Sequence, residues 1–141
     1  MKFTTSAILA TIFSLPAVFS QTTYKVTYNQ YYDDGSNSLS TVACSNGENG
    51  LLTKGYTTLD SLPDFPYIGG AFAVTGWNST GCGTCWELSY NGTSINILAI
   101  DTSYTFDISL EALQKLSDGQ GEAAGFVYAT ATQVDASVCG L

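Results

Sequence analysis

Polar and apolar positions alternate loosely from Thr22 to Tyr32, with Tyr24, Val26 and Tyr28 on one side of a two-residue period and further aromatics after them. This pattern predicts a first β-strand, closed by the turn-forming cluster Asp33-Asp34-Gly35-Ser36-Asn37. Pro66 to Val74, Cys85 to Tyr90, Ser94 to Ile100 and Gly125 to Ala131 are also rich in apolar, β-branched or aromatic residues and read as strands. Asn91-Gly92, between the Cys85 and Ser94 stretches, is a strong signal for a two-residue hairpin turn.

The helical period is fully punctuated once. Leu110, Leu113 and Leu116 form an apolar stripe, Ser109 stands at the N-cap, Glu111 lies in the first turn and Gly119 follows the last. A short helical turn is expected from Thr57 to Leu62, stopped by Pro63. Short strands, one good helix and 14 glycines suggest a small closed barrel rather than an open sheet.

Before the first strand, Ala7 to Phe19 is almost wholly apolar, and Val18-Phe19-Ser20 ahead of Gln21 suits a signal peptidase. The run is too short for a mature membrane-spanning helix, although an anchor is the competing reading. Residues 1–20 are therefore expected to be a signal peptide and 21–141 a single secreted domain, a monomer, with no linker or repeat. Beyond residue 20, 12 acidic residues face only Lys25, Lys54 and Lys115, a net charge of −9. Such a surface repels nucleic acid and anionic lipid, so neither nucleic acid nor membrane is expected as a partner. With no histidine and no arginine, catalytic triads built on histidine and an arginine clamp for phosphate are excluded.

The four cysteines, Cys44, Cys82, Cys85 and Cys139, are an even number in a chain read as exported, which makes disulfides the default. Zinc sites usually supply two close pairs, and only Cys82-Gly83-Thr84-Cys85 is close, so no metal is expected. A redox Cys-x-x-Cys is the sharper alternative, but it leaves Cys44 and Cys139 unexplained. Three connectivities remain open on spacing.

Two tryptophans and nine tyrosines with few charges suit a carbohydrate-binding surface, where rings stack on sugar C–H faces and carboxylates or amides accept hydroxyl hydrogens. Core packing is the plainer reading of Trp86, whereas Trp77, between Gly76 and Asn78 in a loop, stands between the two. Asp101 follows the apolar run Ile95 to Ile100 and should emerge at the end of a buried strand. Asp107 is the second candidate, although its place before the Leu110 helix equally suits a cap. Asp33 closes the first strand and is either a turn residue or a third groove carboxylate. A glycosidase needs two such groups at a set separation, which spacing cannot establish.

Together, Tyr28, Tyr32-Asp33, Cys44-Ser45-Asn46-Gly47-Glu48-Asn49-Gly50-Leu51, Phe65-Pro66-Tyr67-Ile68-Gly69-Gly70, Gly76-Trp77-Asn78, Cys82-Gly83-Thr84-Cys85-Trp86, Ala99-Ile100-Asp101 and Cys139-Gly140-Leu141 resemble the cerato-platanin family. The likeness runs in order over essentially all of residues 21–141. It implies a six-stranded double-psi β-barrel like the first domain of expansins, one or two short helices, and disulfides Cys44–Cys82 and Cys85–Cys139. It also implies a non-catalytic secreted protein of the fungal wall and medium, without cofactor. Such a protein binds chitin or N-acetylglucosamine oligomers in a shallow groove, with cellulose as a further candidate, and provokes host defence through an immune receptor.

By the same resemblance Asp101 is the groove aspartate, Tyr28, Tyr32 and Asp33 flank it, and Asn78 belongs to the Gly-Trp-Asn loop beside Trp77. Asp107 departs from members with asparagine there and matches the catalytic acid of related endoglucanases. Expansin-like loosening or weak hydrolysis of β-glucan is therefore the alternative activity. Asn78-Ser79-Thr80 and Asn91-Gly92-Thr93 are N-glycosylation sequons, and a glycan on Asn78 would obstruct the groove near Trp77.

Overall fold

A computed structural model describes residues 3–14 and 22–141 of the chain. Residues 3–14 are exposed and without regular secondary structure, and the expected cleavage site at Ser20-Gln21 lies outside the described residues. No described helix is long and apolar enough to cross a membrane.

Six strands close into a barrel: β1 (Thr23–Tyr28), β2 (Ile68–Ala71), β3 (Cys85–Tyr90), β4 (Thr93–Thr102), β5 (Phe106–Ile108) and β6 (Phe126–Val134). Their spatial order is β1-β5-β2-β4-β3-β6, with β1–β5 and β2–β4 parallel and the remaining pairs antiparallel. This is the six-stranded double-psi barrel that the resemblance implied. Val26, Ile68, Leu88, Ile97, Leu98, Phe106 and Ile108 are fully buried in one core. Phe72 extends it, stacked on Tyr24 at 5.0 Å between ring centroids and packed against Trp86 and Phe106. Trp86 is a core residue, 8% exposed, and its Nε1 donates to Thr84 Oγ1 at 2.9 Å.

Helix α1 (Leu110–Leu116) forms where the sequence places it, with Ser109 Oγ accepting from Ala112 N at 3.1 Å and Leu113 and Leu116 buried. The turn before Pro63 is a 3-10 segment, Leu59–Ser61. A second helix, α2 (Gly121–Ala124), covers one turn. The first strand is shorter than its pattern suggested, because the Asn29 side chain accepts from Tyr31 N at 3.0 Å and turns the chain into a 3-10 segment, Gln30–Asp33. The Pro66–Val74 stretch also shortens to four residues. β5 has no counterpart among the expected strands.

Both disulfides take the expected pairing, Cys44–Cys82 and Cys85–Cys139. They close loops of 38 and 54 residues, each worth roughly 4 kcal/mol in the chain-entropy account.

Candidate functional site

Gly70 of β2 pairs on one side with Asp107 of β5 and on the other with Asp101 of β4. Directly paired residues project from the same sheet face, so two carboxylates flank a position that has no side chain. Asp107 reaches this outer face by alternation, between buried Phe106 and Ile108. Asp101 reaches it through a bulge: Gly69 pairs with Ala99 but Gly70 with Asp101, so Ile100 is the extra residue. Without it, Asp101 would face inward like Ala99, which is fully buried. The glycines also allow the neighbouring strands to close in. A Cβ on Gly69 would lie 2.3 Å from the Asp107 carbonyl oxygen, and one on Gly70 would lie 2.6 Å from that of Thr102.

On the Asp107 side lies an open groove of about 670 Å³, lined by Thr27, Phe72, Val74, Thr75, Thr102, Ser103, Tyr104 and Asp107. Thr27 Oγ1 donates to Asp107 Oδ1 at 2.7 Å, leaving Oδ2 with no partner among the described residues. The Tyr104 ring is fully exposed at the groove edge. The lining therefore combines one carboxylate, several hydroxyls and two aromatic rings, groups that match the hydroxyls and C–H faces of a neutral sugar.

Of the residues singled out in the sequence, only Asp107 lines this groove. Asp101 lies beyond Gly70, covered by the chain between Tyr32 and Ala43: its Oδ2 accepts from Tyr32 Oη at 3.0 Å, and its Oδ1 from Ala43 N at 3.0 Å and Thr102 N at 2.9 Å. Both of its carboxylate oxygens are thus engaged by the chain. Tyr32 is 4% exposed, so its ring offers no stacking face, and burial followed by the Asp101 charge pushes its phenol well above the usual tyrosine range. Tyr28 pairs with Ile108, one step from the Thr27–Asp107 pair, and turns toward the core instead of the groove.

Asp33, not Asp107, complements helix α1: its two oxygens accept from Leu110 N at 2.8 Å and Glu111 N at 2.9 Å, the first free amides of the helix. Asn78 accepts from Asn49 N at 2.9 Å through Oδ1, and Trp77, 63% exposed, donates from Nε1 to Asn46 at 2.6 Å. These contacts join the 76–81 and 46–50 loops, a second surface outside the groove. The groove's other lining residues, Thr27, Phe72, Val74, Thr75, Thr102, Ser103 and Tyr104, were not singled out from the sequence. Tyr104 had a usable signal, an aromatic in the polar turn between the two candidate aspartates.

A family model described as Cerato-platanin matches residues 24–141. The chain is 41% identical to the "Heat-stable 19 kDa antigen" of Coccidioides immitis over 145 residues, covering 100% of this chain and 99% of that protein. The crystal structure of cerato-platanin 3 from M. perniciosa superimposes with a TM-score of 0.82 at 40% identity, over 85% of this chain and 100% of the other. The solution structure of "the fungal elicitor Cerato-Platanin" gives 0.73 at 38% identity, over 82% and 95%. By its matched length, its barrel and its paired cysteines, the chain belongs to the cerato-platanin family.

Proposed function

We propose that this protein binds chitin-type oligosaccharides in the groove over Asp107 without cleaving them, and acts outside the fungal cell, in wall and medium, where a host immune receptor detects it. The observation that carries the binding is the groove lining itself: an unsaturated Asp107 carboxylate, the Thr27, Thr75, Thr102 and Ser103 hydroxyls, and an exposed Tyr104 ring, with no cation to attract an anionic ligand. A shallow, open site of this kind binds weakly and relies on a preorganised wall. The two disulfides and the strand pairing supply that wall. Detection by a host is supported by the words elicitor and antigen attached to relatives of similar length.

The arrangement of the carboxylates supports binding without hydrolysis. Glycoside cleavage takes an acid and a base, or an acid and a nucleophile, both reaching the same sugar bond. Asp107 alone lines the groove, and Asp101 has both oxygens engaged by backbone and phenol donors. A second reading, loosening or slow cleavage of β-glucan, draws on Asp107 being the groove carboxylate.

Co-sedimentation with insoluble chitin tests the proposal: the wild-type protein is retained, Asp107→Ala is not, and neither releases reducing ends from chitin or β-glucan above background. Reducing ends that vanish in Asp107→Asn would establish the second reading instead.

A further inference from the structure

The two sequons differ in what the fold does with them. Asn91 is exposed at the tip of the β3–β4 hairpin, with φ values of 45° at Asn91 and 80° at Gly92, as a tight turn of the mirror-image type requires. Its carboxamide takes no part in the side-chain hydrogen bonds that hold the neighbouring segments together. Beside it opens a cleft of about 450 Å³ lined by Tyr90, Asn91, Thr93, Leu116, Asp118 and Gln120. The half-buried Tyr90 ring stands there next to the polar groups of Thr93, Asp118 and Gln120, a surface on which a pyranose attached to Asn91 can rest.

Asn78 is placed in the opposite way. Its Oδ1 accepts from Asn49 N, its carbonyl oxygen accepts from Asn49 Nδ2 at 3.0 Å, and the side chain is pressed against Gly47, where an added Cβ would come within 2.6 Å of Oδ1. The Cys44–Cys82 disulfide holds the two loops around it together. A glycan attached before folding would have to be fitted into that junction at the expense of its hydrogen bonds.

We propose that Asn91 is the N-glycosylated residue of this protein and that Asn78 is left unmodified. In the oxidising compartment where the disulfides form, the donor is an oligosaccharide on a lipid pyrophosphate. The Asn91 Nδ2–C1 bond forms, the C1–O bond to the pyrophosphate breaks, Nδ2 gives up one proton and the lipid pyrophosphate leaves. The position keeps the groove open. β4 runs from Thr93 beside the cleft to Thr102 beside the groove, and at 3.2–3.4 Å per residue these ends are about 30 Å apart.

The test is the full chain secreted from a yeast host, deglycosylated with peptide N-glycosidase in ¹⁸O water, with isotope incorporation mapped by peptide mass spectrometry. Incorporation at residue 91 and not at 78 is expected, with loss of the glycan in Thr93→Ala and retention in Asn78→Gln. Chitin-oligomer affinity should be equal before and after deglycosylation. Incorporation at residue 78, or none at residue 91 above that of the chain held in ¹⁸O water without the enzyme, where Asn91-Gly92 can deamidate spontaneously, overturns the proposal; the enzyme-dependent label on the wild-type chain identifies the site even where a variant folds poorly.

Discussion

The Tyr32 phenol donates to Asp101 Oδ2 at 3.0 Å, tying the 3-10 turn after β1 to the end of β4 across 69 residues of sequence. The same carboxylate holds Ala43 N and Thr102 N. Asp101 is thus a junction of the fold, with both carboxylate oxygens engaged by the chain itself.

Removing the junction should cost stability before it costs binding. Tyr32→Phe is expected to lose about 1–2 kcal/mol and Asp101→Ala about 2–3 kcal/mol, because the latter leaves the buried Tyr32 phenol and the half-buried Ala43 amide without their acceptor. Urea unfolding measures both. Chitin-oligomer affinity of the folded variants should stay within about twofold; full stability with lost affinity in Asp101→Ala would make Asp101 a ligand contact.

Asp33 should behave as a helix cap. Asp33→Ala exposes the Leu110 and Glu111 amides and is expected to cost about 1–2 kcal/mol, with Asp33→Asn milder. Thermal unfolding followed by circular dichroism gives the loss, while sugar binding at 25 °C is expected to stay unchanged.

Tyr104 offers the reverse signature. Its ring is fully exposed and supports nothing in the core, so Tyr104→Ala should leave the unfolding midpoint unchanged. Loss of ring stacking, about 0.5–1.5 kcal/mol, should weaken oligosaccharide binding roughly two- to tenfold by titration calorimetry.

Stability should fall between about pH 4 and pH 7 for a reason away from the groove. Asp64 Oδ2 and Asn96 Oδ1 are buried without partners among the described residues, and both side chains line one cleft with Tyr67, Ile95 and Lys115. Burial pushes the Asp64 carboxyl up to about 7. Its folded-state value is therefore above its unfolded one: the contribution is complete below the unfolded value near 4 and is lost as pH rises through 7. Asp64→Asn removes this dependence and should add about 1 kcal/mol at pH 7.5 after solvent screening is allowed for. An unchanged pH profile in the variant would contradict the assignment.

What the sequence made legible follows from how local each signal is. Helix α1 announces itself through Ser109, the leucine stripe and Gly119, all within 11 residues, and the Asn91-Gly92 hairpin needs only its two neighbours. β5 was invisible because three residues carry no measurable period, and its pairing partners, Val26 to Tyr28 and Gly69 to Ala71, lie far away in sequence. The surroundings of the two aspartates were illegible for a related reason. Asp101 and Asp107 look alike as strand-end aspartates, and what separates them is a bulge at Ile100 and donors from positions 32 and 43. The resemblance singled out both aspartates, and only the three-dimensional contacts distinguish the carboxylate with a free oxygen from the one held by the chain.

Amide NMR of the ¹⁵N-labelled protein titrated with N-acetylglucosamine oligomers addresses the central claim, a sugar groove over Asp107, most directly. Shifts should concentrate at Thr27, Val74, Thr102, Ser103, Tyr104 and Asp107 and disappear in Asp107→Ala. No shifts at millimolar oligomer, or shifts confined to the Asn46–Trp77 loops, would contradict it.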